Sequence, residues 1–222
     1  MATTQPLDFT KVQNYATELF SRQKGKASLR RRYFRQTESI ALLLGVNTGL
    51  RISDLLGLRW SDIHDREDTI GKYVSTTTSK TGKQHYSALK IITSTLLDEY
   101  RTTAMQAARE NKALFSREGF VFRNYYSPRP TKTNPRQLFT APFVRKRLRI
   151  AIEKGQLGKR HRSMGLGGHS LRKAYAMRVY EVADLRTASQ SLQHTNITNT
   201  TRYLKLADKE HEERMNQIAE LL

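Results

Sequence analysis

Apolar residues at Val12, Tyr15 and Leu19 follow Asp8 and Thr10 at helical spacing, which predicts a short amphipathic helix with a capping residue at its start. A denser apolar run through Ile40, Leu42, Leu43, Leu44 and Val46 predicts a core helix that stops near Gly49. Ile52 to Leu58 continues the helical pattern, with Leu55, Leu56 and Leu58 apolar and Trp60 and Ile63 closing the unit. The period then changes. From Ile70 to Thr78 the residues are largely β-branched or aromatic, and after Ser79-Lys80-Thr81-Gly82 a second extended run continues to Ile92, so a β-hairpin with Lys80 at or near its turn is predicted. Helical spacing returns over Thr93 to Ala113. Gly119 to Pro142 holds four of the five prolines and reads as surface loop. Phe143, Leu148 and Ile152 restart a helix, a glycine-rich loop covers Gly165 to Gly168, and helices fill most of the remainder. No internal repeat is visible.

Composition narrows what such a domain does. The 222 residues, 37% of them hydrophobic, suffice for one domain with a buried core. Lys and Arg number 39 against 20 Asp and Glu, and the net charge of +19 points to a polyanionic partner, nucleic acid first. No apolar run approaches the roughly 18 residues of a membrane-spanning helix, and the basic stretches lack an opposing apolar face, so no membrane partner is expected. Met1 to Asp8 resembles no secretory signal, and a cytoplasmic protein is expected. The absence of cysteine removes disulfides, thiol catalysis and the common structural zinc sites. Charge is also uneven. Arg22 to Arg35 carries seven Lys or Arg and no acid, Arg117 to Arg162 thirteen against two Glu, and these two stretches are read as backbone-phosphate contacts.

Four segments place polar and basic residues where a plain core helix needs none: Thr48-Gly49-Leu50-Arg51-Ile52-Ser53-Asp54, Ser79-Lys80-Thr81-Gly82, His169-Ser170-Leu171-Arg172, and His194 followed by Tyr203. Each has an ordinary reading on its own. Arg51 suits a surface ion pair, Lys80 a solvated turn, His169 a helix cap, His194 a satisfied core position and Tyr203 aromatic packing.

Their order and local context resemble the tyrosine recombinase (phage integrase) family. Thr48 to Trp60 is similar to the family's first arginine box, Gly168-His169-Ser170-Leu171-Arg172 to its second, and Leu192-Gln193-His194 through Thr201-Arg202-Tyr203-Leu204 to its third, including the nine-residue step from His to Tyr. Two positions depart from the pattern: Lys173 stands where His often follows the second Arg, and Gln193 where Gly usually precedes the third-box His. The resemblance covers about Pro6 to Tyr203. It implies a catalytic domain over residues 1–203, a tail helix over 204–222 available for a protomer contact, and no amino-terminal core-binding domain in this chain.

What the resemblance implies chemically agrees with elementary phosphoryl chemistry. A five-coordinate phosphorane gathers negative charge on its non-bridging oxygens, which paired guanidinium forks hold bidentately, and Arg51 and Arg172 are the candidates. A phenol, with an ordinary pKa near 10, is a weak nucleophile at neutral pH and needs a base or a strongly positive field. His169 can assist that proton, and Tyr203 is the nucleophile. The departing 5′ oxygen needs a proton, which a lysine on a hairpin can deliver; by resemblance this is Lys80, with Lys83 second. His194 is assigned a hydrogen bond to the phosphate. Asp54, one helical turn from Arg51, either orients a basic residue of the site or is solvated.

The expected fold is mainly α-helical with a small antiparallel sheet (α+β). The expected function is site-specific DNA breakage and rejoining through a 3′-phosphotyrosyl link, with strand exchange and no cofactor or metal. Two other readings remain at this point, a type IB topoisomerase-like DNA relaxation and a non-catalytic DNA-binding protein. The expected partners are double-stranded DNA, three further copies in a homo-tetramer on paired sites, and accessory DNA-bending proteins. The tail, where Met215, Ile218 and Leu222 lie at helical spacing among Asp208, Glu210, Glu212, Glu213 and Glu220, is expected to avoid DNA and dock on its own domain or on a neighbour.

Overall fold

The chain leaves its first helix with one apolar face covered. α1 (Phe9–Ser21) buries Val12, Ala16, Leu19 and Phe20, and the Asp8 carboxylate accepts from the Lys11 N–H at 2.9 Å. In this computed structural model the described residues are 7–21, 28–63, 69–127, 131, 134, 137–154, 157 and 168–204. The expected tail helix and most of the Gly165 to Gly168 loop lie outside them.

α2 (Leu29–Thr48) is the central helix. It starts well before the apolar run that announced it, because Ser28 caps it by accepting from the Arg31 N–H, so Arg30 to Arg35 belong to its first turns. From Gln36 to Thr48 it is buried on every side, packed by α1, α4 (Ile91–Glu110) and α5 (Ala141–Lys154). Most of its buried polar side chains have partners; among the described residues Gln36 Oε1 is the exception. Thr37, Asn47 and Thr48 donate to carbonyls one turn back, Ser39 donates to Ala16 O of α1, and Glu38 pairs with Arg147 of α5. Tyr33 stacks on Tyr100 at 5.6 Å, and fully buried Trp60 packs on Tyr100 and Phe115.

α2 ends where the sequence predicts. Gly49 has φ of 63°, its N–H bonds Gly45 O at 3.1 Å, and a Cβ there would lie 2.2 Å from Tyr175 Cδ1, so both the conformation and the space require glycine. The chain turns at this corner into α3 (Ile52–Leu56) and a 3₁₀ turn (Trp60–Asp62).

The sheet is the predicted hairpin, β1 (Tyr73–Thr77) antiparallel to β2 (Gln84–Ala88), with Thr76 opposite His85 and Val74 opposite Ser87, but its second strand stops at Ala88 and not at Ile92, since Ile91 and Ile92 already belong to the first turn of α4. Lys80 lies in the connecting loop, closed by Thr78 N–H to Lys83 O and by Gly82 N–H to Thr78 O, with Gly82 at φ of 65°. After α5 come α6 (Gly168–Val182), α7 (Leu185–Ser191) and α8 (Ile197–Leu204). The chain divides into two units, Met1–Tyr175 and Ala176–Leu222. In the second unit α7 packs on α8, with Ala188, Leu192, Thr200 and Leu204 buried and Asp184 capping α7 through the Thr187 N–H. Among the described residues no helix is long and apolar enough to cross a membrane.

Candidate active site

In the first unit the geometry is built on the Thr48–Gly49 corner. Arg51 leaves that corner in extended conformation at the residue before α3, half-buried, with no capping bond from its side chain. Arg172, only 5% exposed on α6, donates through Nη1 to Gly49 O at 2.5 Å. This bond, to a backbone carbonyl two residues before Arg51, orients the planar fork against the corner. The α2–α6 approach that permits this is close: a Cβ on Gly45 would meet the Leu171 side chain at 2.8 Å.

His169 lies three residues before Arg172, in the first turn of α6, on the exposed rim. Loss of water around the ring, and then the positive charges of Arg172, Arg145 and Arg51, hold its pKa below the ordinary imidazole value. The ring is thereby favoured in the neutral form that accepts a proton. Lys173, the departure noted in the second box, is buried beside Arg172.

Asp54 is 7% exposed, which removes the solvated reading. Its Oδ1 accepts from the Ser79 N–H at 2.9 Å and from the Ser79 hydroxyl, and its Oδ2 is buried with no hydrogen-bond partner among the described residues. What it orients is the hairpin loop, since Ser79 immediately precedes Lys80. Lys80 itself is exposed, as is Lys83.

The second unit brings His194 and Tyr203 together. Their rings meet edge to face, centroids 5.8 Å apart at 89°. His194 Nδ1 lies 2.8 Å from Thr200 Oγ1, and its backbone N–H bonds Ser189 O at 3.0 Å, so the ring is referenced to both α7 and α8. Gln193 has φ of 56°, a left-handed conformation that favours glycine, which is the residue the third-box pattern usually has there. This substitution carries backbone strain of about 1 kcal/mol.

Four participants escaped sequence reasoning. His85 and Ser87 sit buried under the corner, Ser87 Oγ lies 3.4 Å from the Tyr175 hydroxyl, and Arg145 of α5 is within electrostatic reach of His169. The signal for the first pair was the two-residue period of β2, which puts them on one face.

Residues 15–210 match the phage integrase family. Among solved structures the chain is similar to XerH site-specific recombinase bound to palindromic difH substrate in a post-cleavage complex, with 20% identity and a TM-score of 0.67 over 99% of this chain and 54% of that one. It is also similar to XerA recombinase (17% identity, TM-score 0.60, 98% of this chain and 66% of that one) and to a lambda integrase dimer bound to a COC′ core site (16%, 0.52, 92% and 49%). These likenesses show a shared fold, and the chain spans about half to two thirds of those proteins' lengths. A search of curated proteins found no match. With 196 of its 222 residues inside that match, the chain belongs to the phage integrase family.

Proposed function

We propose that this chain is the catalytic part of a site-specific DNA recombinase that breaks and rejoins strands through a 3′-phosphotyrosyl intermediate. The observation that carries the reading is the Arg172 fork fixed on Gly49 O, two residues from Arg51, with His169 in charge reach of both. One guanidinium held on that corner, and a second arginine whose backbone starts from it, suit a preorganised cradle for a phosphorane.

The roles follow from chemistry. The Tyr203 phenolic oxygen attacks phosphorus as the P–O5′ bond breaks, His169 takes the phenol proton, and the Lys80 ammonium protonates the leaving 5′ oxygen. Arg51, Arg172 and His194 hold the non-bridging oxygens, and Asp54 holds the loop that carries Lys80. One phosphodiester is exchanged for another of similar energy, so no ATP is consumed, and rejoining is the same step reversed with a partner strand as substrate. The +19 net charge supports double-stranded DNA as the partner, and by family likeness four copies on paired sites, aided by DNA-bending proteins, form the working assembly in the cytoplasm.

A nicked duplex that loses its 5′ fragment after cleavage is expected to trap the protein covalently on the 3′ end, equally in excess EDTA, because the cations of the proposed site are side chains. No adduct would remove the enzyme reading. Adduct formation with plasmid relaxation but no exchange between duplexes would move it to a topoisomerase.

His169 also predicts a pH profile. Its folded pKa lies below the ordinary value of about 6.5, so the neutral base persists below that pH and is lost only as pH falls through the lowered value. Single-turnover cleavage should therefore stay level from neutrality to below about 6.5 before its acid limb begins, and His169→Gln should abolish that limb. An acid limb centred at or above the ordinary value, or one unchanged in His169→Gln, would remove His169 as the base.

A further inference from the structure

A two-stranded ribbon lying against a helix normally turns apolar side chains inward, but β2 turns in a histidine and a serine. His85 is 3% exposed, whereas Tyr86 between them is 61% exposed and stacks on Tyr73 outside. Both inward residues address one acceptor. His85 Nε2 lies 2.9 Å and Ser87 Oγ 3.3 Å from Thr48 O, with Ser87 Oγ also 2.8 Å from His85 Nε2. A carbonyl only accepts, so Nε2 carries the hydrogen.

Thr48 and Gly49 provide two of the carbonyls that the end of α2 leaves without intrahelical partners. The first is taken by β2, the second by Arg172. The corner is closed further by Leu50 N–H to Thr48 Oγ1 at 3.3 Å. Asp54 fastens the hairpin loop at Ser79. The structure thus ties β2 and the fork of Arg172 to carbonyls of the corner from which Arg51 starts, and the loop of Lys80 to the Asp54 carboxylate on α3.

Apolar contacts alone fix a two-stranded ribbon weakly, and a slip of one residue turns every side chain to the other face. Directional bonds to one carbonyl set the register instead. Burying an imidazole costs hydration that a leucine does not lose, and a neutral hydrogen bond returns only a small net gain. Packing is therefore a poor account of a histidine here.

We propose that His85, assisted by Ser87, is a positioning residue for the cleavage step: by holding β2 on Thr48 O it sets where the Lys80 ammonium meets the departing 5′ oxygen relative to Arg51 and Arg172. This rests on the reading of Lys80 as the general acid. The balance of the step supplies a specific test. With an ordinary phosphate, the P–O5′ bond breaks and O5′ takes a proton from Lys80. With sulfur in the 5′ bridging position, the P–S bond breaks and the thiolate leaves unprotonated, so a fault confined to the acid disappears.

Single-turnover cleavage is measured on matched 5′-oxygen and 5′-bridging-sulfur suicide substrates, with half-site affinity measured separately. His85→Leu should cut the oxygen substrate about tenfold to a hundredfold more slowly, the scale of a misplaced general acid, and bind DNA normally. The sulfur substrate should restore its rate to near that of the parent. His85→Gln, whose amide N–H reaches for the same carbonyl, should retain most activity on oxygen, and Arg51→Lys should not be rescued by sulfur. Ser87→Ala, which removes a single oxygen, should show the same rescue on a smaller defect and serves if His85→Leu proves unfolded. Rescue of Lys80→Ala without rescue of the His85 and Ser87 variants overturns the proposal alone, as does normal oxygen cleavage by folded His85→Leu. Failure of sulfur to rescue Lys80→Ala overturns the general-acid reading and the proposal with it.

Discussion

Tyr203→Phe is expected to bind a half-site with the affinity of the parent and to form no covalent adduct at any time. The ring is half-buried on α8 and packs edge to face on His194, contacts that phenylalanine reproduces. Only the oxygen that would bond phosphorus is lost, while the basic surface that neutralises backbone phosphates is untouched. The buried tyrosines of the aromatic core are poorly suited to substitute. Burial pushes the hydroxyls of Tyr33 and Tyr100 well up, and that of Tyr125 to about 12, so none of these is poised to become a phenolate. The check is adduct formation on the nicked suicide substrate beside a binding isotherm at the same salt. An adduct of parental yield would end the assignment of Tyr203.

Why some of this could be read from the residues and some could not has a physical pattern. The α2–Gly49–Arg51 corner was legible because a long apolar run, a glycine and an arginine are local signals, and the glycine proved to be left-handed with no room for a Cβ. The hairpin was legible for the same reason: a β-branched and aromatic run leads into a Ser-Lys-Thr-Gly turn. The start of α2 was not. Arg30 to Arg35 look like a basic surface segment, yet Tyr33 and Gln36 supply an inward face and Ser28 a cap. β2 reverses hydropathy altogether, with the aromatic Tyr86 outside and His85 inside, because the inner face meets a helix C-terminus that needs hydrogen-bond donors. Asp54 depended on a partner 25 residues away, and Arg145 on the packing of α5, neither of which spacing reveals. In the second unit the His194–Tyr203 pairing follows from one tight turn and one short helix, so sequence distance and spatial distance agree.

Arg172→Lys should be the most damaging change that preserves charge. In the proposed role the arginine does two things with one planar group: Nη1 holds Gly49 O at 2.5 Å, and the same fork presents N–H groups to a phosphate. A lysine has one nitrogen at the end of a flexible stem and cannot span both acceptors in fixed geometry. Loss of a preorganised donor to a developing oxyanion costs about a hundredfold to a thousandfold in rate, and here the same substitution also releases the carbonyl that positions the start of α3. Single-turnover cleavage is therefore expected to fall by at least about a thousandfold. Stability should fall by about 1–3 kcal/mol in chemical denaturation, since Gly49 O loses its charged donor inside the protein. Half-site affinity should change little, because one phosphate contact among several carries a small share of the electrostatic term. Arg51→Lys, whose side chain starts from the same corner, should reproduce the loss of rate. Cleavage by Arg172→Lys within about threefold of the parent, a change of less than 1 kcal/mol, would show that this arginine supports the fold and does not hold the phosphate.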